Sequence, residues 1–190
     1  MIVISLDPSI NPKSFGVALL DTSISNDLYK CIVRVEQPEE YRKRVKIKLP
    51  SKDPSGLQRG LFLARWARML SGFIEKRFGI EERLVLTELS VGKPVWSKDP
   101  VAKAGRAKSK ELTNRAGDSV TSILYIVGEA NIIEVDPADF KKKKVDRSQI
   151  LDMMLGPDRD PRNEHYDDSL YRVLTWAQDQ KIRGNLKEAK

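Results

Sequence analysis

Four residues in this chain are of types that could share one piece of chemistry: Asp7, Glu88, His165 and Asp168. Asp7 ends the run IVISL, Glu88 follows LVLT, and His165 and Asp168 open the segment HYDDSLYRVLTWA. Carboxylates with one imidazole suit Mg²⁺ or Mn²⁺, and the imidazole tilts the set toward Mn²⁺. Two such ions about 4 Å apart can activate a water and stabilise the leaving oxygen of a phosphodiester. Without a cation, acids gathered this closely would repel one another. Each residue also has a plainer use. Asp7-Pro8-Ser9 is good turn chemistry, Asp167 and Asp168 suit the first turn of a helix, and a lone histidine is commonly a cap or a surface residue. For Asp167 the helix role is the expectation. What favours a shared site is that Asp7, Glu88, His165 and Asp168 all fall at the ends of predicted elements.

Those elements follow from pattern. Ile2–Leu6 and Phe15–Leu20 are predicted strands of a hairpin, and Leu28–Val35 is a third strand. The charged stretch Gln37–Lys48 is expected at the surface, as an added edge strand. Ser55 is placed to cap a helix from Gly56 to about Arg77, with Gly79 closing it. Leu57, Leu61, Ala64, Ala67, Leu70 and Ile74 form one apolar stripe, and Phe62, Trp66, Met69 and Phe73 a second. A face this wide calls for a sheet beneath it. Arg83–Leu89 is the fourth strand, followed by a loop from Ser90 to about Lys110. A second helix runs from about Lys110 to Ala130 with Val120, Ile123, Leu124, Ile126 and Val127 as its core, and Asn131–Val135 is the fifth strand. Asp146–Gln149 resembles a capping box for a short helix to Leu155. The last helix, about His165 to Gln180, turns Leu170, Val173, Leu174 and Ala177 inward.

The order is β-β-β-α-β-α-β-α-α, in one domain over residues 1–181 with a polar tail at 182–190. A helix between strands three and four permits a parallel crossover. The result is a five-stranded mixed sheet with helices on both faces, the outline of an RNase H-like fold, although order alone leaves other α/β folds open. If strands one and four are parallel neighbours, Asp7 and Glu88 meet at the carboxyl edge, where open α/β sheets bind ligands. A final helix starting there would add His165 and Asp168, which lie close in azimuth at a spacing of three.

Charge suggests the partner. The chain has 34 Lys+Arg against 27 Asp+Glu, a net +7, which favours a polyanion such as nucleic acid. Lys93, Lys98, Lys103, Arg106, Lys108, Lys110 and Arg115 crowd one segment, and Lys141 to Lys144 form a second run. Such side chains give phosphate affinity without sequence information and can stabilise charge on a scissile phosphate, although a solvated charged loop is the plainer alternative. Cys31 is the single cysteine, so an intramolecular disulfide and a cysteine-rich zinc site are excluded, and a small core hydrophobe is expected. No apolar run reaches membrane length, no signal-peptide pattern opens the chain, and no P-loop is present to bind a nucleotide cofactor. A cytoplasmic, reducing location is expected.

Taken together, these segments resemble RuvC-type Holliday junction resolvases, a phage or viral member as readily as a cellular one. LDPSINPKSFGVALLD resembles their first hairpin, LVLTELSVGKP their fourth strand with its catalytic Glu, and KELTNRAGDSVTSILYIVGEANIIEVDPADFKKK the next helix and strand. DRSQILDMML and NEHYDDSLYRVLTWA resemble the closing helices, with an [D/H]-x-x-D-[A/S]-L motif. The resemblance implies that Asp7, Glu88, His165 and Asp168 are catalytic metal ligands, with Asp167 between them. It implies a homodimer acting on four-way junctions by paired, Mg²⁺- or Mn²⁺-dependent nicking. Lys93, Trp96, Lys110, Arg115, Lys141, Lys142 and Arg147 are the expected DNA contacts. Lys141 and Arg147 match positions that are basic in the family, although this basic loop is shorter than the family's. The stretch Gln37–Lys48 reads as an insertion. The family tends to place a wedging aromatic three residues after the strand-four Glu, where this chain has Val91. Either Trp96 takes that role or the wedge is absent. Alternatives remain: a related nuclease for flaps or forks, or a catalytically silent junction-binding module. An actin-like phosphate-binding fold would want Gly/Thr-rich loops that NPKSFG does not supply.

Overall fold

The computed structural model describes residues 1–53, 55–79, 82–88, 99–135, 151–153 and 164–183. The strands are β1 (Ile2–Asp7), β2 (Gly16–Asp21), β3 (Ile32–Val33), β4 (Arg83–Glu88) and β5 (Asn131–Val135). The helices are α1 (Pro38–Arg44), α2 (Leu57–Phe78), α3 (Pro100–Gly128) and α4 (Glu164–Ile182). The strands form one sheet in the order β3-β2-β1-β4-β5. β1 lies at its centre, antiparallel to β2 and parallel to β4, and β5 is parallel to β4. The hairpin, the crossover and the mixed sheet expected from the element order are all present.

Strand alternation sends successive side chains to opposite faces, and each face has its own core. Ile2, Ile4, Leu6, Val17, Leu19 and Val85 pack with Phe62, Trp66, Leu70 and Ile74 of α2 and with Ala116, Val120 and Leu124 of α3. Val3, Ala18, Leu20, Leu84 and Leu86 pack with Leu170, Val173, Leu174 and Ala177 of α4. Cys31 and Leu151 join this second core, the cysteine as the small buried group expected. Burial raises its thiol pKa, and Sγ donates to the Ser25 carbonyl oxygen at 3.1 Å. Buried Arg83 ties α2 to α3 through Nη2 to the Gly79 carbonyl and Nη1 to the Gly128 carbonyl. A cation suits the partial negative charge at both helix C-termini.

Several local expectations are corrected. The third strand is two residues long, because Asp27 accepts the Tyr29 N–H and turns Leu28–Cys31 out of extension. The stretch 37–48 holds helix α1 in place of an edge strand. Pro38 supplies a preset φ at its first turn, and the Glu40 carboxylate accepts the Gln37 N–H at 2.8 Å. Gln37 itself is buried. Its amide faces β2, with Oε1 accepting the Val17 N–H at 3.0 Å and Nε2 donating to the Val17 carbonyl at 2.8 Å. Gly56, left-handed at φ 69°, is the cap residue of α2 in place of Ser55. Ser55 Oγ accepts the Leu57 N–H and Asp53 accepts the Arg59 N–H.

Leu57 and Leu61 are exposed, so the buried face of α2 centres on Phe62, Leu63, Trp66, Ala67, Leu70 and Ile74. α3 begins ten residues earlier than expected. Asp99 accepts the Val101 N–H at 3.0 Å and Pro100 takes the first helical position, making helix of what composition marked as loop. Ile126 and Val127 are exposed, because only one side of α3 meets α2. Leu89, residues 90–98 of the expected loop after it, most of the Asp146–Leu155 helix, the polar loop before α4 and residues 184–190 of the tail lie outside the described residues.

Candidate active site

The site begins with a register. Pairing of Ile2 with Arg83 through Ser5 with Leu86, continued two residues, sets Asp7 abreast of Glu88 at the ends of β1 and β4. On the other side Asp7 pairs with Gly16 of β2. Gly16 is required by close approach: a Cβ there would stand 2.0 Å from the His165 carbonyl oxygen and 2.7 Å from the Tyr166 nitrogen. Its missing side chain lets the first turn of α4 press onto the sheet at the level of Asp7. The consequence is a direct contact, His165 Nδ1 to Asp7 Oδ2 at 2.7 Å. The Asp7 carboxylate is 13% exposed and the imidazole 30%, so the pair opens on one side to solvent. On the other side of the turn after Asp7, a Cβ added to Gly117 of α3 would stand 3.0 Å from Pro8 Cβ, so this glycine too allows a close approach.

Asp168 is half-buried one turn along α4, and Asp167 is buried in its first turn. Among the described residues no group of three or more His, Cys, Asp or Glu side chains is gathered to hold a metal. Glu88 is described in its backbone, as the last residue of β4. The donor chemistry of Asp7 and His165 nonetheless fits a hard divalent cation, with carboxylate oxygen and imidazole nitrogen on one partly open pair.

Of the expected DNA contacts, Lys110 and Arg115 lie on α3. Arg115 is exposed and pairs with Glu111 at 2.5 Å. Lys103 and Arg106 precede them on the exposed N-terminal half of the same helix. Lys93, Trp96, Lys141, Lys142 and Arg147 lie outside the described residues.

Sequence reasoning missed Arg172. It is buried on α4, where Nη1 donates to the Leu6 carbonyl oxygen and Nη2 lies 3.7 Å from Asp7 Oδ1. The signal available was an arginine within an apolar helix face, seven residues after His165 and four after Asp168. Gly16 was readable only as a small residue opening a strand.

The order of strands, the central parallel pair and helices on both faces define the RNase H-like fold. Within it, the whole chain is similar in arrangement to solved structures of RuvC. Thermus thermophilus RuvC in complex with a Holliday junction substrate aligns over 98% of both chains with a TM-score of 0.57 and 16% identity. A second T. thermophilus RuvC structure aligns over 98% of this chain and 99% of that one, with a TM-score of 0.55 and 16% identity. No protein-family model and no curated protein sequence matches the chain.

Proposed function

We propose that this chain is a metal-dependent, structure-selective DNA endonuclease that resolves four-way junctions by paired nicking. The observation that carries the reading is the Asp7–His165 pair, set where β1 and β4 end side by side, in a fold shared with a resolvase solved on its junction. Asp7, Glu88, His165 and Asp168 would hold Mg²⁺ or Mn²⁺, two ions per site. When bound, such ions supply an activated water and stabilise the leaving oxygen of phosphodiester hydrolysis.

The chain's own residues do the rest. The tight seat of α4 on Gly16 fixes the imidazole against Asp7 before substrate arrives. Lys103, Arg106 and Lys110 recur at three- and four-residue spacing along α3, which places them on one side of that helix to track a phosphate backbone. Lys93, Trp96, Arg115, Lys141, Lys142 and Arg147 complete the proposed DNA surface. Two nicks in paired strands call for two sites, hence a homodimer. Tyr125, Ile126, Ile132 and Ile133, exposed at the end of α3 and on edge strand β5, are its candidate contact surface. The nuclease unit spans residues 1–181 and acts in the cytoplasm on DNA. None of the described helices is long and apolar enough to cross a membrane.

The test uses labelled four-way, flap, fork and linear duplex DNA with Mg²⁺, Mn²⁺ or EDTA. Wild type is expected to nick four-way junctions symmetrically with either metal, while Asp7→Asn and Glu88→Gln lose at least a hundredfold in rate and still bind. Equal cleavage by those variants, or none by wild type, would sink the enzyme reading. Preference for flaps or forks would move the substrate within the same chemistry. Sedimentation at micromolar concentration that finds only a 21.6 kDa species would remove the dimer.

A further inference from the structure

Arg172 is the least expected charge in the fold. Its side chain is 4% exposed, so it cannot reach the phosphates of a bound DNA. Asp7 is held from both oxygens: His165 Nδ1 lies 2.7 Å from Oδ2, and Arg172 Nη2 lies 3.7 Å from Oδ1. The same guanidinium takes the Leu6 carbonyl through Nη1, so it also grips the backbone just before Asp7. Burying a guanidinium is costly, and an apolar side chain of similar size often serves a core as well or better. α4 places such side chains next in sequence, at Val173 and Leu174, both buried. Packing alone does not call for a cation here, whereas the mostly buried carboxylate of Asp7 does.

We propose that Arg172 is a positioning residue and the resident counter-charge of Asp7, and that it sets how tightly the Asp7–His165 site takes a divalent cation. The inference rests on the reading of Asp7 and His165 as metal ligands. Arg172 offsets the charge of Asp7, so the carboxylate can sit against His165 before any cation enters. Once a cation is bound, the same charge opposes it. Two effects of opposite sign therefore meet at Asp7. A unit and a double charge a few ångströms apart in a partly buried site repel strongly enough to cost about tenfold or more in affinity. Losing one restraint on a short aspartate side chain costs only about a few-fold. Repulsion wins, so neutralising Arg172 tightens metal binding.

The experiment measures Mn²⁺ binding to the full chain without DNA, by calorimetry, for wild type, Arg172→Met, Arg172→Gln and Arg172→Lys. The two neutral variants are expected to bind Mn²⁺ about tenfold more tightly than wild type. Arg172→Lys keeps the charge and should stay within about twofold. Without metal the neutral variants should melt below wild type, and saturating Mn²⁺ should raise their Tm by more than it raises that of wild type. Arg172→Gln retains a donor for the Leu6 carbonyl, so it carries the test if Arg172→Met does not fold. Unchanged or weaker binding in the neutral variants overturns the proposal, as does a lysine variant that behaves like them. If none of the four proteins binds Mn²⁺ saturably, the metal reading itself fails and this inference falls with it.

Discussion

Along β1, Ile2, Ile4 and Leu6 enter the core beneath α2 and α3, while Val3 joins the core of α4 and Asp7 meets His165 on that side. By alternation Ser5 shares the α4 side. The first face stays apolar for the length of the strand. The second changes along it, from Val3 through Ser5 to Asp7. α4 mirrors the change: Ala177 and Val173 are buried and apolar, Arg172 and Ser169 are buried and polar, and His165 is partly open. One strand thus serves two solvents. The uniform face supplies cohesion, and the graded face brings charge to the sheet's edge without stranding it in the middle of a core.

Four substitutions would break or sharpen this contrast, in descending order of expected effect. Trp66 is the largest fully buried side chain on the uniform face, and its Nε1 donates to the Glu36 carbonyl at 2.9 Å. Trp66→Ala should cost about 3–5 kcal/mol in urea denaturation, while the rate of the proposed nicking, measured well below the midpoint, stays within about twofold of wild type. A rate that collapses with folding intact would show that the two faces are not separable.

Gly16→Ala comes next. The clash is with backbone, which cannot rotate away, so the first turn of α4 must lift. A loss of about 2–3 kcal/mol is expected, together with at least a tenfold fall in nicking. His165 is the only histidine, so its imidazole NMR signals report the contact directly and should move toward those of an exposed histidine. Signals that stay at their wild-type positions would show that α4 had not moved.

Gly117→Ala tests the other wall. An added Cβ would meet the Pro8 ring at 3.0 Å, a side chain that must give by a few tenths of an ångström. The strain is largely offset by the roughly 1 kcal/mol that alanine gains over glycine in a helix. Stability should stay within about 1 kcal/mol of wild type, while nicking slows a few-fold because Pro8 follows Asp7. The smallest effect belongs to Ser169→Ala. Ser169 Oγ is buried with no hydrogen-bond partner among the described residues, so removing it should leave Tm unchanged or raise it slightly. A loss above about 1 kcal/mol would reveal a partner for that hydroxyl.

Much of the fold was legible because periodicity and punctuation agree. β1, β2 and β5 alternate or run apolar between turn residues, and Gly79 stops α2 where expected. What failed did so for physical reasons. Apolar spacing marks a helix but does not say how much of it will be covered. Leu57, Leu61, Ile126 and Val127 therefore belonged to plausible stripes and emerged exposed. Lysine and glycine made 100–109 look like loop, while the short-range signal, Asp99 capping ahead of Pro100, decided for helix. At the candidate site, Asp7 and His165 were legible as residues at element ends, and their contact follows from the packing of Gly16. Arg172 was not legible. A charged residue on a helix is usually a surface residue, and only its depth in the fold reveals that it answers a carboxylate 165 residues away in sequence.

The amide of Gln37 has a consequence beyond α1. β3 pairs only with Leu19 and Leu20, so the chain leaves the sheet while Val17 still has a donor and an acceptor facing outward. An open strand edge of this kind is a template on which another polypeptide can add itself. Gln37 offers one donor and one acceptor to Val17, the same exchange a neighbouring strand would make, and Pro38 then takes the chain into a helix. A single side chain completes the ladder where the backbone stops, and the β2 edge is closed to strangers at the end nearest Asp7.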